Sequence, residues 1–398
     1  MNVNKSVFYF FLSPVLGLIY AVKDFRQKYS TLVLFLFCLC FGLCFTVDNV
    51  RREGSVDGIS MRIAFEENSK MSVAQYADYI AEYFQFDKGA QDIYITSVSF
   101  FIGCFTDNYH VFFLILSTVF AFFQIKCLKY LIREQNYTNS LLCIIITCLF
   151  LWNNISNING ARFWTAAWIA LYTVFKVFHD KDLRYFLLAA CIFMIHASYA
   201  FFPVLMLFAY FVPYRRKIYL SLFLISWAFS FFATNFNFIS LEGIDLPFII
   251  TKKVEAYTDK DFIDSYSTGS GFFWVSLLFE AISIFTLNLL IYFVLLKQKH
   301  LKDAKAASVV KFMIILAIFS NFASVVPTLG GRFFMVDLAL IAYSFLVVCW
   351  NFKIRKIIYF VPFAWFMNLY SLMQLVLGVL DIGFLFSPFI SFFRYLII

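Results

Sequence analysis

Three residues in this chain of 398 have types and settings that suit chemistry. His196 is one of four histidines and lies in "FMIHASYAFFP" (193–203), with "YFLLAACIFMI" before it and "AFFPVLMLFAYFV" close behind. The others, His110, His179 and His300, lie in or beside polar stretches. Arg162 in "NINGARFWTAAW" and Arg332 in "TLGGRFFMVDLA" each follow a glycine element and open an apolar run. A helix starting at such a point offers free N–H groups and the positive end of its dipole to an anion. A guanidinium there adds a planar fork suited to phosphate. An imidazole, whose ordinary pKa lies nearest neutrality, can accept a proton. The simpler alternatives are a histidine satisfied by helix packing and arginines whose heads rise to the lipid headgroups.

The elements that must position these residues follow from composition. The chain is 62% hydrophobic, 22% aromatic and 14% charged, with a mean hydropathy of +0.81; globular domains carry about 25% charged residues. Apolar blocks such as "TLVLFLFCLCFGLCFTV" (31–47) and "VVKFMIILAIFSNFASVV" (309–326) repeat from end to end. Their length, roughly 17–25 residues, suits the crossing of a bilayer's hydrocarbon core. The expected fold is all-α: one integral membrane domain, a polytopic bundle of about 12–14 helices with short re-entrant or interfacial helices. The first block, 7–22, has no small-residue cleavage site after it and reads as a retained helix.

The net charge of +8 follows topology and does not indicate nucleic acid. Short clusters at 23–30, 126–139, 176–184, 213–217, 297–311 and 351–356 hold 20 of the 32 Lys and Arg residues. The positive-inside rule places them in the cytoplasm. The longer segments 48–92 and 237–271 carry net charges of −4 and −3 and are expected outside. With even parity between the first two clusters, "IYITSVSFFIGCF" (93–105) is surplus and reads as an interfacial or re-entrant helix on the outer face. Before it, "SVAQYADYIAEYFQF" (72–86) has helical periodicity and a Ser72–Gln75 capping box. The nine cysteines sit in or beside apolar blocks without paired spacing and support neither a disulfide framework nor a zinc site.

The same arithmetic bears on His196. Only 28 residues, 185–212, separate two cytoplasmic clusters. Two full crossings need about 40. The run therefore predicts two short helices meeting at His196–Ser198, inside the membrane. Broken backbone at that depth must be buried in protein or line a hydrated cavity. Two acids also fall within spans. Glu280 lies about 12 Å into the span 272–296 and can act as an alternative base or neutralise an arginine. Asp337 follows Arg332 by five positions, so the two point about 140° apart and are poor partners.

The run "GARFWTAAWIALYTVFK…LRYFLLAACIFMIHASYAFFPVLML" resembles the EpsG-type branch of the Wzy-like polysaccharide polymerases. In that pattern an Arg opens a helix, a basic loop follows, and an "fH-x-s-a" element ends the next helix. Arg162, His196 and Ser198 match it, and "GGRFF" with Arg332 matches a later outer arginine. Asp57, in "TVDNVRREGSVDGISMRIAF", stands nearest to an acidic "G-T-D-Y" element. The chain departs from the pattern at Phe163, where glutamine is usual, and at "QDIY" (91–94), which bears on Asp92.

The resemblance implies a membrane glycosyltransferase of the bacterial inner membrane that joins polyprenyl-diphosphate-linked oligosaccharide repeat units on the outer leaflet, with no metal or other cofactor. Donor and acceptor are both lipid-linked, and a flippase and a chain-length regulator are the implied protein partners. Arg162 and Arg332 then bind the leaving diphosphate, and His196 takes the proton of the attacking hydroxyl, with Glu280 as the further catalytic candidate. Ser198, Tyr199 and Asp57 are the remaining substrate-binding candidates. Tyr76, Tyr79, Tyr83, Tyr257 and Tyr266 can stack on sugars or simply mark the interface. The competing readings are a flippase or other transporter, for which no matching broken helices occur in two halves, a glycan ligase, and a membrane acyltransferase.

Overall fold

The computed structural model describes residues 5–47, 57–85, 93–233, 273–324, 329–370, 373, 380 and 382–397. Asp48, Asp92, Tyr257, Tyr266 and the segment 237–271 lie outside the described residues. Among the described residues there is no β-strand, and one isolated bridge joins Phe45 to Leu380. Five segments are long and apolar enough to cross a membrane: Tyr109–Arg133, Leu141–His179, Leu278–His300, Ala304–Ala323 and Leu329–Cys349. Shorter apolar helices of 10–17 residues accompany them. In hydrocarbon every backbone N–H and C=O must be bonded within the protein, and helices do this locally. The chain is an all-α, polytopic membrane protein.

Its start differs from the single retained span that the sequence suggests. α1 (Lys5–Leu12) and α2 (Pro14–Lys23) fold back on each other, with Tyr9 stacked on Tyr20 at 4.2 Å. Pro14 sits at the first turn of α2, where no N–H is needed. Gly17 permits the close approach, because a Cβ there would lie 2.6 Å from Phe10 Cα. Hydropathy does not register such a reversal.

α3 (Ser30–Leu43) is followed by three short helices, α4 (Asp57–Asn68), α5 (Val73–Phe84) and α6 (Tyr94–Gly103), at the end of the bundle opposite the basic loops. α5 begins with the expected capping box: the Gln75 N–H donates to Ser72 Oγ, and the Ser72 N–H donates to Gln75 Oε1. Tyr76 fixes α5 to α6, stacking on Phe100 at 4.2 Å and donating its hydroxyl to Ser97.

α7 (Tyr109–Arg133) then runs the full depth of the bundle. α8 (Leu141–Phe150) returns only part of the way, about 15 Å. The chain climbs the rest as irregular backbone and a 3-10 turn, Ile155–Gly160. The Asn153 carbonyl, which has no helical partner, accepts from Gln124 Nε2 and Trp168 Nε1, each at 3.0 Å. Its amide donates to the Trp164 carbonyl and accepts from Asn157. The break is tolerated at depth because it is buried and bonded.

α9 (Ala161–Val174) descends beside α7, ending in a π turn, Phe175–His179. Phe120 meets Trp168 and Tyr130 stacks on Phe175, so α7 and α9 run parallel. α10 (Tyr185–Cys191) and α11 (Phe202–Phe211) form the expected short hairpin. α12 (Arg216–Ala233), α13 (Phe273–Lys297), α14 (Ala304–Ala323) and α15 (Leu329–Cys349) follow, and after them come short helical pieces that include Val361–Ala364 and Pro388–Phe392. α15 is the central helix of the bundle, with 83% of its apolar window buried.

At the basic-loop end Asp180 ties α7 to the π turn. Its carboxylate accepts from Tyr130 Oη at 2.6 Å, Lys176 Nζ at 2.8 Å and His179 Nδ1 at 3.0 Å. Partial burial works to raise its pKa, but these three hydrogen bonds outweigh that and hold it at about 2. A carboxyl with a depressed folded pKa contributes stability above its unfolded pKa and loses it as pH falls through the folded one. Asp180→Asn should therefore cost about 1–2 kcal/mol near neutrality. The difference from wild type should close between about pH 5 and pH 2. Denaturant unfolding in detergent micelles across that range checks both the size and the sign.

Candidate functional site

The hairpin tip is built by a local break. α10 tightens into a 3-10 turn, Ile192–Met194, and His196 then turns to extended backbone, with φ −156 and ψ 118. The Ser198 backbone N–H donates to His196 Nδ1 at 3.2 Å, capping the next 3-10 turn, Ala197–Tyr199. With Nδ1 occupied as an acceptor, the neutral ring carries its proton on Nε2. A proton accepted at Nδ1 would displace the Ser198 bond.

The half-buried His196 ring makes a perpendicular contact with Phe163, their centroids 5.2 Å apart. The Arg332 guanidinium lies 5.5 Å from the centroid of the Phe163 ring, a cation–π distance. Phe163 also contacts Phe333 of α15 and Tyr199. The structure thus brings His196 and Arg332 to one phenyl ring, and Arg162 is the residue before it on α9. Phe163 was not among the expected site residues; the one signal in the sequence was its position directly after Arg162.

Arg332 is placed by a tight α14–α15 approach. A Cβ on Gly330 would lie 2.5 Å from Ser324 Cα, while the space beside Gly331 is open. Arg162 sits in the first turn of α9, and a second helix start meets it there. The Gly58 N–H of α4 donates to Asn159 Oδ1 at 2.9 Å, and a Cβ on Gly160 would lie 3.7 Å from Asp57 Oδ2. Two helix N-termini, Arg162 and the exposed Asp57 therefore share one turn.

The cluster is sunk below the bundle's end. Trp168 lies level with Phe120, which puts Phe163 level with Ile115, roughly 9 Å below the start of α7.

Other expected residues fall elsewhere. Tyr199 is not a surface for substrate: it is fully buried between Phe163, Phe202 and Phe333, where it supports the histidine. Ser198 acts through its backbone, holding the imidazole. Glu280 is exposed on α13, where the adjacent Phe279 packs against Phe363 and Phe366, and no described contact joins Glu280 to His196, Arg162 or Arg332. Asp337 is fully buried, and neither of its carboxyl oxygens has a hydrogen-bond partner among the described residues.

Phe163 is 4% exposed. Phe163→Ala should lower the stability of the bundle by about 3–5 kcal/mol, and Phe163→Leu by less, because a cavity opens where four aromatic neighbours meet. Denaturant unfolding in micelles checks this, and an unchanged midpoint for the alanine variant would remove Phe163 from its organising position. Compared with models of protein families, with curated proteins and with solved structures, the chain matches none, so the geometry of this cluster is what bears on its function.

Proposed function

We propose that the protein is a polysaccharide polymerase of the bacterial inner membrane, a glycosyltransferase that joins oligosaccharide units carried on polyprenyl diphosphate. The observation that supports this reading is the meeting of Arg332 and His196 on Phe163, beside the Arg162 turn, at a sunken site opposite the basic loops. Such a site suits a diphosphate held at the membrane surface with its lipid tail below and its glycan above. The sequence resemblance to EpsG-type polymerases points the same way.

In this reading a sugar hydroxyl of one lipid-linked unit attacks the anomeric carbon of the other. The bond from that carbon to the diphosphate oxygen breaks, and polyprenyl diphosphate leaves with the bonding electrons. Arg162 and Arg332 bind the diphosphate and offset its growing charge. His196 donates Nε2–H to it. The hydroxyl proton goes to a carboxylate, for which Asp57, beside the Gly160 turn, is our candidate. Glu280 has no part in this scheme.

Two substitution series test the reading in cells that make the polymer. Lysine at Arg162 or Arg332 should reduce polymer by about tenfold or more, nearly as much as alanine, because an ammonium lacks the planar fork. Full polymer from both lysine variants would refute the diphosphate clamp. At His196 alanine should abolish polymer, while glutamine, which can place an N–H where Nε2–H was, should retain a measurable part. Equal loss in both variants, with normal accumulation of the protein, would show that His196 works as a base and not as a donor.

A further inference from the structure

Beneath the His196 tip lies an apolar groove of about 320 Å3, between α6, α9 and the rising arm of the hairpin. Val98, Ile169, Leu188, Cys191, Ile192 and Ile195 are among its walls. It is larger than the voids left by ordinary packing and falls within the size range of small-molecule sites. The exposed Cys191 shows that it opens on the outside of the bundle, at the depth of the apolar helices. One wall ends at Ile195, the residue before His196. A second wall residue, Ile169, lies on α9 six positions and roughly 9 Å below Phe163.

We infer that this groove seats the first isoprene units of the polyprenyl chain whose diphosphate is held at Arg162 and Arg332, an inference that rests on the function proposed above. Charge and polarity change in the order that such a lipid requires. Cations and helix N-termini stand at the head, then a histidine, then an uncharged, mainly apolar groove, with Tyr94 and Ser97 also in its lining, opening sideways toward lipid. A bilayer phospholipid offers acyl chains to the same walls, but its phosphate lies at the surface and not in a cluster sunk below it.

Cys191 is a native reporter. Alkylation of the purified wild-type protein by N-ethylmaleimide, read by mass spectrometry at Cys191, should slow about tenfold in long-chain polyprenyl diphosphate at about ten times its Kd. The exposed Cys148 on α8 should react at an unchanged rate. Inorganic diphosphate and phosphatidylglycerol should not protect Cys191. Ile169→Trp or Leu188→Trp should weaken polyprenyl diphosphate binding by about tenfold and leave inorganic diphosphate binding unaltered.

Protection by phosphatidylglycerol would overturn the assignment in favour of an ordinary acyl chain. Arginine-dependent binding of polyprenyl diphosphate that leaves Cys191 fully reactive would overturn the groove while keeping the head site. If Arg162→Ala and Arg332→Ala do not weaken binding, the proposed function fails. If in that case Cys191 is still protected, the groove holds prenyl chains independently of that function.

Discussion

Backbone that leaves the helix inside hydrocarbon must have every polar group answered by the protein itself, and this constraint shapes the functional end of the molecule. The chain breaks within its apolar segments at Ser13–Pro14, through residues 151–160 and at His196. The second break is held by Asn153, Gln124 and Trp168, and the third by the Ser198 N–H on the His196 ring. Each break would be intolerable facing lipid. Buried together, the second and third deliver a helix start with an arginine and a hairpin tip with a histidine to one level.

The two ends of the bundle are built from different chemistry. At the basic-loop end, Asp180 and Glu134 take hydrogen bonds from tyrosines, so the helices there are tied by polar contacts. Tyr343 reaches from α15 to Glu134 on the loop that follows α7. At the other end aromatic contacts surround the cluster: Phe163 meets His196, Tyr199 and Phe333, and Phe201 meets Phe319 and Phe333. Aromatic edges and faces set the orientation of their neighbours without using hydrogen-bonding groups.

This division gives Phe163 its weight. A glutamine at that position would bring its own donors and acceptors into the gap between arginine and histidine. A phenyl ring instead lies under Arg332 and meets His196 in a perpendicular contact. Tyr199 and Phe333 hold the ring from behind. The spacing of the cation and the imidazole is therefore set by packing, and it follows the rigidity of the core.

The sequence by itself determined what depends on counting along the chain. Block length against bilayer thickness yields a helical membrane protein, and the 28 residues between two basic clusters yield the short hairpin with His196 at its tip. Ser72 and Gln75 three positions on yield the cap of α5. Tertiary structure decided what depends on which faces meet. Only it shows α1 folded back on α2, the half-depth of α8, Phe163 in contact with both Arg332 and His196, Tyr199 buried and Glu280 left outside. It also sets the histidine's tautomer, through a backbone N–H two residues away. Hydropathy and spacing fix how far a segment reaches along the membrane normal. They carry no record of helix rotation or partner choice, and those two quantities decide which side chains share a site.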